Sequence, residues 1–208
     1  MEHAEEKIYS PVCVSDDKKK TVYLIGDSIT VGYRENVKEL LKDEANVVYP
    51  TENGRSSQFD IIMLRGWSGL CDPENVGVVQ FNAGHWDIAH WNDEPISLTS
   101  VDEYCNNVIR IYESLRRMYK NARIVFATTT PMNPNGENSV NYRYTSEIEK
   151  YNKAAKQALD GKDVIINDLF EYTKDFTESD FADYCHFTDE ANERLGRHCA
   201  ELFASLLK

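Results

Sequence analysis

The sequence predicts an α/β protein: a three-layer α/β/α sandwich around a central five-stranded parallel sheet. Five short apolar segments alternate with longer segments in which apolar residues recur at helical spacing. Most of the short segments are apolar throughout, as in strands that are buried on both faces of a parallel sheet. Repeated strand–helix alternation of this kind packs with helices on both faces of the sheet.

The strand candidates are residues 21–26, 46–49, 76–82, 123–129 and 163–167. Between them, Ser100 and Glu103 have the spacing of a helix capping box, and Ser146 and Glu149 repeat that spacing before the next amphipathic segment. A last helix is predicted over residues 188–207. The elements therefore begin at residue 21 and continue almost to the end of the chain.

The length fits one folded domain. The 208 residues are an ordinary size for a single domain. We place that domain at residues 21–208, because residues 16–20 form a charged run. Residues 1–20 are expected to be a charged lead-in segment.

Composition excludes several classes of function. With 23 Lys and Arg against 35 Asp and Glu, the formal net charge is −12, which argues against nucleic acid or an anionic membrane as the main partner. No stretch approaches 18 apolar residues and no secretory signal is evident, so we expect a cytoplasmic protein. The five cysteines are odd in number and form no CxxC pair. Reduced thiols are therefore expected, with neither a metal nor an organic cofactor.

Ligands of open parallel sheets bind beyond the carboxyl ends of the strands. Ser28 follows the first strand in the tripeptide Gly26-Asp27-Ser28. At such a turn its hydroxyl would be exposed and its own N–H would lie at a helix N-terminus, where an oxyanion is stabilised. A simple helix-capping role remains the alternative for Ser28.

A second polar cluster precedes the last helix. Asp183 lies three residues before His186, a spacing that can place its carboxylate against the imidazole and fix the tautomer, as in the acid–base half of a catalytic triad. An ordinary surface pair is the alternative. Cys185, between them, is expected to be a packing residue under this turn rather than a nucleophile.

The other strand ends are polar as well. Gly54 follows the second strand and is either a turn glycine or a glycine whose N–H approaches a ligand. Residues 82–87 follow the third strand. A long loop, residues 128–144, follows the fourth strand and is either a substrate wall or a surface excursion.

Taken together, these residues resemble the SGNH hydrolases, the GDSL-type esterase/lipase superfamily, over about residues 21–207. Gly26-Asp27-Ser28 matches the first family block, Gly54 the glycine of the second, and Asp183 with His186 the last. The third block, Gly-x-Asn-Asp, departs from the family. Here it reads Gly84-His85-Trp86-Asp87, so Trp86 stands where the family's oxyanion-binding Asn is found.

The resemblance implies a flavodoxin-like fold and a serine esterase of short acyl groups, most plausibly acetyl groups on carbohydrate. Ser28 would be the nucleophile, His186 the base and Asp183 its orienting acid. The oxyanion would be bound by the N–H groups of Ser28 and Gly54 and by one further donor. The candidates for that donor are Asn82, His85 and Trp86. Residues expected to line the substrate site are Asp27, His85, Trp91, Pro131 and Tyr142.

Two other functions stay open at this point. The same triad could transfer the acyl group to a sugar hydroxyl instead of water. Alternatively, the scaffold could be a non-catalytic carbohydrate-binding module, because the third block lacks its Asn. In each case the expected partner is a small molecule or an oligosaccharide.

Overall fold

In a computed structural model, residues 18–136 and 141–208 are described. Most of the predicted lead-in, residues 1–17, lies outside the described residues, as do residues 137–140 of the long loop. The strands are β1 (Thr21–Ile25), β2 (Asn46–Val48), β3 (Val76–Phe81), β4 (Arg123–Ala127) and β5 (Ile165–Asn167). The helices are α1 (Ser28–Leu41), α2 (Ser57–Trp67), α3 (His85–Ile88), α4 (Val101–Met118), α5 (Thr145–Ala158), α6 (Leu169–Thr173) and α7 (Asp189–Leu206).

The five strands form one parallel sheet in the order β2-β1-β3-β4-β5. This confirms the predicted fold class. Every predicted strand is present, each shortened by one or two residues at one or both ends. Just beyond β4, the side chain of Thr128 and the backbone N–H of Thr129 bond to side chains of neighbouring elements.

Successive strand residues point to opposite faces of the sheet and into two separate cores. On one face, Tyr23 and Ile25 pack with the buried residues of α2, α4 and α5. On the other face, Val22 and Leu24 pack with those of α1 and α7. All four side chains are at most 1% exposed. Apolar residues at every strand position are therefore explained by burial on both sides.

Helix starts follow the capping chemistry of the sequence with one exception. Ser100 and Glu103 form the predicted capping box at the start of α4. The box predicted at Ser146 and Glu149 is wrong, because α5 begins at Thr145, with Tyr144 as its N-cap. Ser146 then lies inside the first turn, where its backbone is already helical and cannot adopt the extended conformation of a cap.

The strand order places a topological switch at the carboxyl ends of β1 and β3. The chain leaves β1 towards β2 on one side, while β3 lies on the other side of β1. Ile25 pairs in register with Phe81, so the turns that follow these two residues leave the sheet side by side. The crevice between such turns is where ligands bind in open α/β sheets.

Candidate active site

The turn after β1 presents the Ser28 hydroxyl and buries the aspartate that precedes it. Asp27 is the N-cap of α1, and its Oδ1 accepts the N–H of Ile29 at 3.0 Å. Ser28 is the first residue of the helix and does not cap it, so its hydroxyl is available for another partner. Its backbone N–H has no acceptor within the helix, as at every helix N-terminus.

Asp27 itself cannot contact a substrate. Its side chain is fully buried, which corrects the expectation that it lines the substrate site. Burial raises the pKa of the Asp27 carboxyl, while hydrogen bonds from Asn82 and Ile29 act in the opposite direction. Its role is therefore to hold the turn that carries Ser28.

The structure brings Ser28, His186 and Asp183 into one hydrogen-bonded chain. His186 Nε2 lies 2.7 Å from Ser28 Oγ, and His186 Nδ1 lies 2.7 Å from Asp183 Oδ2. The other carboxylate oxygen, Asp183 Oδ1, accepts the N–H groups of Cys185 and His186, both at 2.8 Å. Because the carboxylate is fixed by its own turn, it faces Nδ1 and leaves Nε2 for the serine.

The charge of Asp183 suits this arrangement. Partial burial alone would raise its pKa, but the two backbone N–H groups and the His186 ring outweigh that effect, and the pKa of Asp183 lies below its ordinary value. The carboxylate therefore remains ionised in mild acid. A charged acceptor at Nδ1 stabilises a protonated imidazole.

Cys185 lies beside this chain without joining it. The residue is 3% exposed, its Sγ is 3.7 Å from His186 Nδ1, and burial raises the pKa of its thiol to about 12. Among the described residues, the ligand atoms of Asp183, Cys185 and His186 form a cluster within 4.8 Å. The carboxylate and the imidazole of this cluster are already hydrogen-bonded to each other, and the thiol is protonated.

Gly54 occupies a different position from the one predicted. Its N–H donates to the carbonyl of Gly26 at 2.8 Å, so this N–H is engaged and does not point freely towards Ser28. A Cβ at Gly54 would lie 2.6 Å from that carbonyl oxygen and 2.8 Å from Asp60 Oδ1. Close approach of two backbones therefore explains this glycine, and its predicted role as an oxyanion donor is not what the structure shows.

Asn82 is also engaged elsewhere. The side chain is 3% exposed, and its Oδ1 accepts the hydroxyl of Thr30 at 2.6 Å. Its amide lies against the Asp27 carboxyl and lowers the pKa of that group against the effect of burial. The predicted oxyanion role of Asn82 is contradicted, because its polar atoms contact Thr30 and Asp27 beneath the turn that follows β1.

Trp86 and Trp91 form one wall of a cavity of about 290 Å³ above Ser28 and His186. Their ring centroids are 5.1 Å apart, and the indole N–H of Trp91 donates to the Trp86 carbonyl at 3.3 Å. Trp91 therefore lines the same cavity as Ser28 and His186. Trp86 lines the same cavity, with its ring tilted by 36° against that of Trp91.

His85 also lines this cavity but lies deep in its wall. The side chain is 2% exposed, and Nε2 lies 3.2 Å from Thr130 Oγ1. Burial, with a smaller effect of the Arg143 charge, lowers the pKa of His85 to about 3. The imidazole is accordingly neutral at physiological pH.

Two predicted contacts of the long loop lie away from the cavity. Pro131 is buried. Tyr142 borders a neighbouring depression with His90 and Glu147, where its backbone carbonyl accepts the N–H of His90 at 2.8 Å. Neither Pro131 nor Tyr142 is among the residues that line the cavity above Ser28, and the backbone bridge between His90 and Tyr142 holds Tyr142 at the neighbouring depression.

Four residues that the sequence analysis did not single out line the cavity: Asn53, Asn141, Arg143 and Tyr184. Arg143 is 6% exposed, donates through Nε to the His85 carbonyl and lies 3.4 Å from the Tyr184 hydroxyl. Asn53 directly precedes Gly54, so its place after the second strand could have indicated it. Nothing in the sequence indicates that Arg143 reaches both neighbouring turns.

The sequence matches the model of the GDSL-like lipase/acylhydrolase family over residues 24–194. The chain therefore belongs to this family and is a carboxylic-ester hydrolase. Among curated proteins, no relative matches the sequence. Within the described residues, no helix is long and apolar enough to cross a bilayer.

Solved structures share the fold at low identity. A lipase/acylhydrolase from Enterococcus faecalis matches with a TM-score of 0.71 and 18% identity, over 89% of this chain and 96% of its own. A carbohydrate acetylesterase from Sinorhizobium meliloti matches with a TM-score of 0.70 and 15% identity, over 90% and 100%. An acetylxylan esterase from Geobacillus stearothermophilus matches with a TM-score of 0.67 and 18% identity, over 89% and 93%.

Proposed function

We propose that the protein hydrolyses short-chain acyl esters, most of all acetyl esters of carbohydrates, through a triad of Ser28, His186 and Asp183. The observation that carries this proposal is the pair of 2.7 Å contacts that His186 makes with Ser28 Oγ and Asp183 Oδ2. A serine hydroxyl within hydrogen-bond reach of an imidazole, itself oriented by a carboxylate, is the arrangement that activates a serine nucleophile.

The reaction proceeds in two halves. The proton of Ser28 Oγ passes to His186 Nε2 as the oxygen bonds to the ester carbonyl carbon, and the tetrahedral oxyanion forms. The imidazolium then gives that proton to the departing alkoxide, which leaves as an alcohol. Water next attacks the acyl-serine, again with His186 as base, and releases the carboxylic acid and Ser28.

The substrate assignment follows from the cavity and its walls. At about 290 Å³, the space above Ser28 is at the small end of ligand pockets, roughly 300–1,000 Å³, and suits a short acyl group. The adjacent indole rings of Trp86 and Trp91, which line this space, offer aromatic surface to a sugar ring. Two of the structural relatives are described as esterases of acetylated carbohydrates, which supports the same class here.

Hydrolysis of p-nitrophenyl acetate by wild type and Ser28→Ala tests the triad. We expect the variant to lose at least about 10³-fold in kcat/KM, because neither His186 nor Asp183 can supply another nucleophile. Ser205→Ala, which removes an exposed hydroxyl of α7, is the matched control and should keep full activity. Equal rates for wild type and Ser28→Ala would refute the proposal.

Chain length of the ester tests the substrate class separately. We expect kcat/KM to fall from p-nitrophenyl acetate to the octanoate ester, because the longer acyl chain exceeds the cavity. Release of acetate from acetylated xylo-oligosaccharides, measured on the same enzyme, should be abolished by Ser28→Ala. A preference for the octanoate ester would leave the triad intact but overturn the assignment to acetyl groups.

A further inference from the structure

The site lacks the amide donor that the family places in its third block, and two of the other predicted donors, Gly54 and Asn82, are engaged elsewhere. Trp86 stands at the position of the family's Asn. The Gly54 N–H is engaged by the Gly26 carbonyl, and the Asn82 side chain is 3% exposed, with its amide nitrogen directed at the Asp27 carboxyl. An oxyanion above Ser28 would therefore have the Ser28 N–H but needs a further donor from elsewhere in the cavity wall.

Asn53 lies in that wall, and the residues before and after it in the chain are each fixed by a hydrogen bond. Before it, the Glu52 carboxylate accepts the indole N–H of Trp67 at 2.8 Å. After it, Gly54 is bonded to Gly26, two residues before Ser28. Asn53 itself lines the same cavity as Ser28 and His186. Its position next to the nucleophile is thus set by two contacts that do not involve substrate.

The Asn53 amide is also oriented. Its Oδ1 accepts the N–H of Arg55 at 2.9 Å, an Asx-type turn that stabilises the left-handed backbone of Arg55 (φ 60°). With the carbonyl oxygen of the amide so used, the two donor hydrogens on Nδ2 are the part of the side chain left for the cavity. A neutral, pre-oriented amide donor beside the nucleophile is the chemistry of an oxyanion hole.

We infer that Asn53, from the second family block, supplies the side-chain hydrogen bond to the oxyanion in this enzyme. This inference rests on the proposed serine mechanism. Trp86, whose ring packs at a tilt against Trp91, then serves the substrate wall instead of the oxyanion. The departure in the third block is thereby compensated by a residue that precedes Gly54.

Two substitutions of Asn53 separate this role from a structural one. Asn53→Asp keeps the oxygen that accepts the Arg55 N–H but replaces the donor with a carboxylate oxygen. Asn53→Ala removes both. A donor to the oxyanion predicts a loss of about 10²–10³-fold in kcat for Asn53→Ala and at least as large a loss for Asn53→Asp. KM for p-nitrophenyl acetate and the thermal midpoint of Asn53→Asp should stay close to wild type.

If Asn53 has only a structural role, the order of activity loss in the two variants is reversed. Asn53→Asp would then retain activity within a few-fold of wild type while Asn53→Ala loses both activity and thermal stability, and that result would overturn the inference. Asn106→Asp, at an exposed position of α4, is the control for added charge and should match wild type. Equal activity of all three variants would also overturn it.

Trp86→Phe tests the rival donor, because it removes the indole N–H and keeps an aromatic ring. The inference predicts that its kcat falls far less than that of Asn53→Asp, with any change mainly in KM. A larger kcat loss in Trp86→Phe would move the oxyanion role to Trp86. Since Ser28 is intact in every variant, these outcomes are independent of the Ser28→Ala result, on which the serine mechanism itself depends.

Discussion

The Asp183 carboxylate performs two tasks with its two oxygens. Oδ1 accepts the two backbone N–H groups of its own turn, and Oδ2 faces His186 Nδ1. The first set of bonds fixes the side chain, and the second fixes the tautomer of the imidazole. Because both are made within four residues, the base half of the proposed triad is assembled locally and only Ser28 must be brought from a distant part of the chain.

Asp183→Asn should separate these tasks. The amide oxygen can still accept the two backbone N–H groups, but the amide nitrogen then faces Nδ1 and favours the tautomer with its proton on Nε2. We expect kcat for p-nitrophenyl acetate to fall by roughly 10³–10⁴ with little change in thermal stability. Asp189→Asn, at the start of α7, is the control. A loss below tenfold would contradict the assigned role of Asp183.

The buried His85 should make stability depend on pH. Its pKa is lowered to about 3 in the folded protein, against about 6.5 when unfolded. Below pH 6.5 the unfolded chain binds a proton that the folded chain does not, so stability falls as pH decreases, by about 2 kcal/mol between pH 6.5 and pH 5.

His85→Gln should remove that component. Urea unfolding at pH 7.5 and pH 5 gives the free energy of unfolding at each pH. The change in this free energy between the two pH values is expected to be smaller in the variant than in wild type by about the same 2 kcal/mol. Stability that the variant loses through poorer packing is the same at both pH values and therefore cancels in this difference. An identical pH dependence in both proteins would show that His85 is protonated when folded.

Residues whose roles depend on a short stretch of chain could be predicted from the sequence. Asp183 and His186 share one turn, so their spacing already determined their contact. Gly54 and Asn82 could not be assigned correctly, because the acceptors that engage them, the Gly26 carbonyl and the Asp27 carboxyl, become neighbours only through the sheet.

At the scale of elements, the turn from β3 into α3 sets the wall of the cavity. Gly84 precedes α3 with φ 152° and ψ −50°, a conformation that residues with a side chain rarely adopt. A Cβ there would lie 1.9 Å from Thr129 Oγ1 at the end of β4. This glycine lets the two strand ends approach and directs His85 and Trp86 towards the site.

Gly84→Ala should therefore damage both stability and activity. We expect a loss of at least about 2 kcal/mol of unfolding free energy, from the combination of unfavourable backbone and steric clash, and a lower kcat/KM because the wall shifts. Gly69→Ala is the matched control, since a Cβ there meets nothing within 4 Å. If Gly84→Ala and Gly69→Ala unfold at the same urea concentration, the clash does not exist.

Element types were predictable because each strand is buried on both faces and each long helix has one apolar side. Helix starts were less certain. Ser146 and Glu149 have the right spacing, yet α5 starts at Thr145, whose hydroxyl accepts the N–H of Met132 from the preceding loop. Such a tertiary contact can extend a helix beyond its best local cap.

At the scale of the whole molecule, the site forms where separate parts of the chain meet at the switch point. Ser28 begins α1, and the turn that carries His186 leads into α7, which packs against α1 more extensively than against any other element. The buried faces of these two helices share one core on one side of the sheet. The packing of α1 against α7, away from the site, therefore sets the distance between Ser28 and His186.

The sheet and its layers followed from the alternation of elements, but the strand order did not, since no short-range signal specifies which strands are neighbours. The same holds for Arg143, which links the His85 carbonyl to Tyr184 across the cavity. In the sequence, Arg143 cannot be distinguished from any other charged residue of a loop.

The most direct test of the central claim is covalent labelling of the wild-type protein with a fluorophosphonate, followed by intact-mass and peptide analysis. The reagent reacts with a serine oxygen activated by a neighbouring base, with loss of fluoride. We predict one phosphonyl group per chain, located on Ser28, and none on Ser28→Ala. Labelling at another residue, or an unlabelled protein that still hydrolyses p-nitrophenyl acetate, would contradict the assignment of Ser28 as the nucleophile.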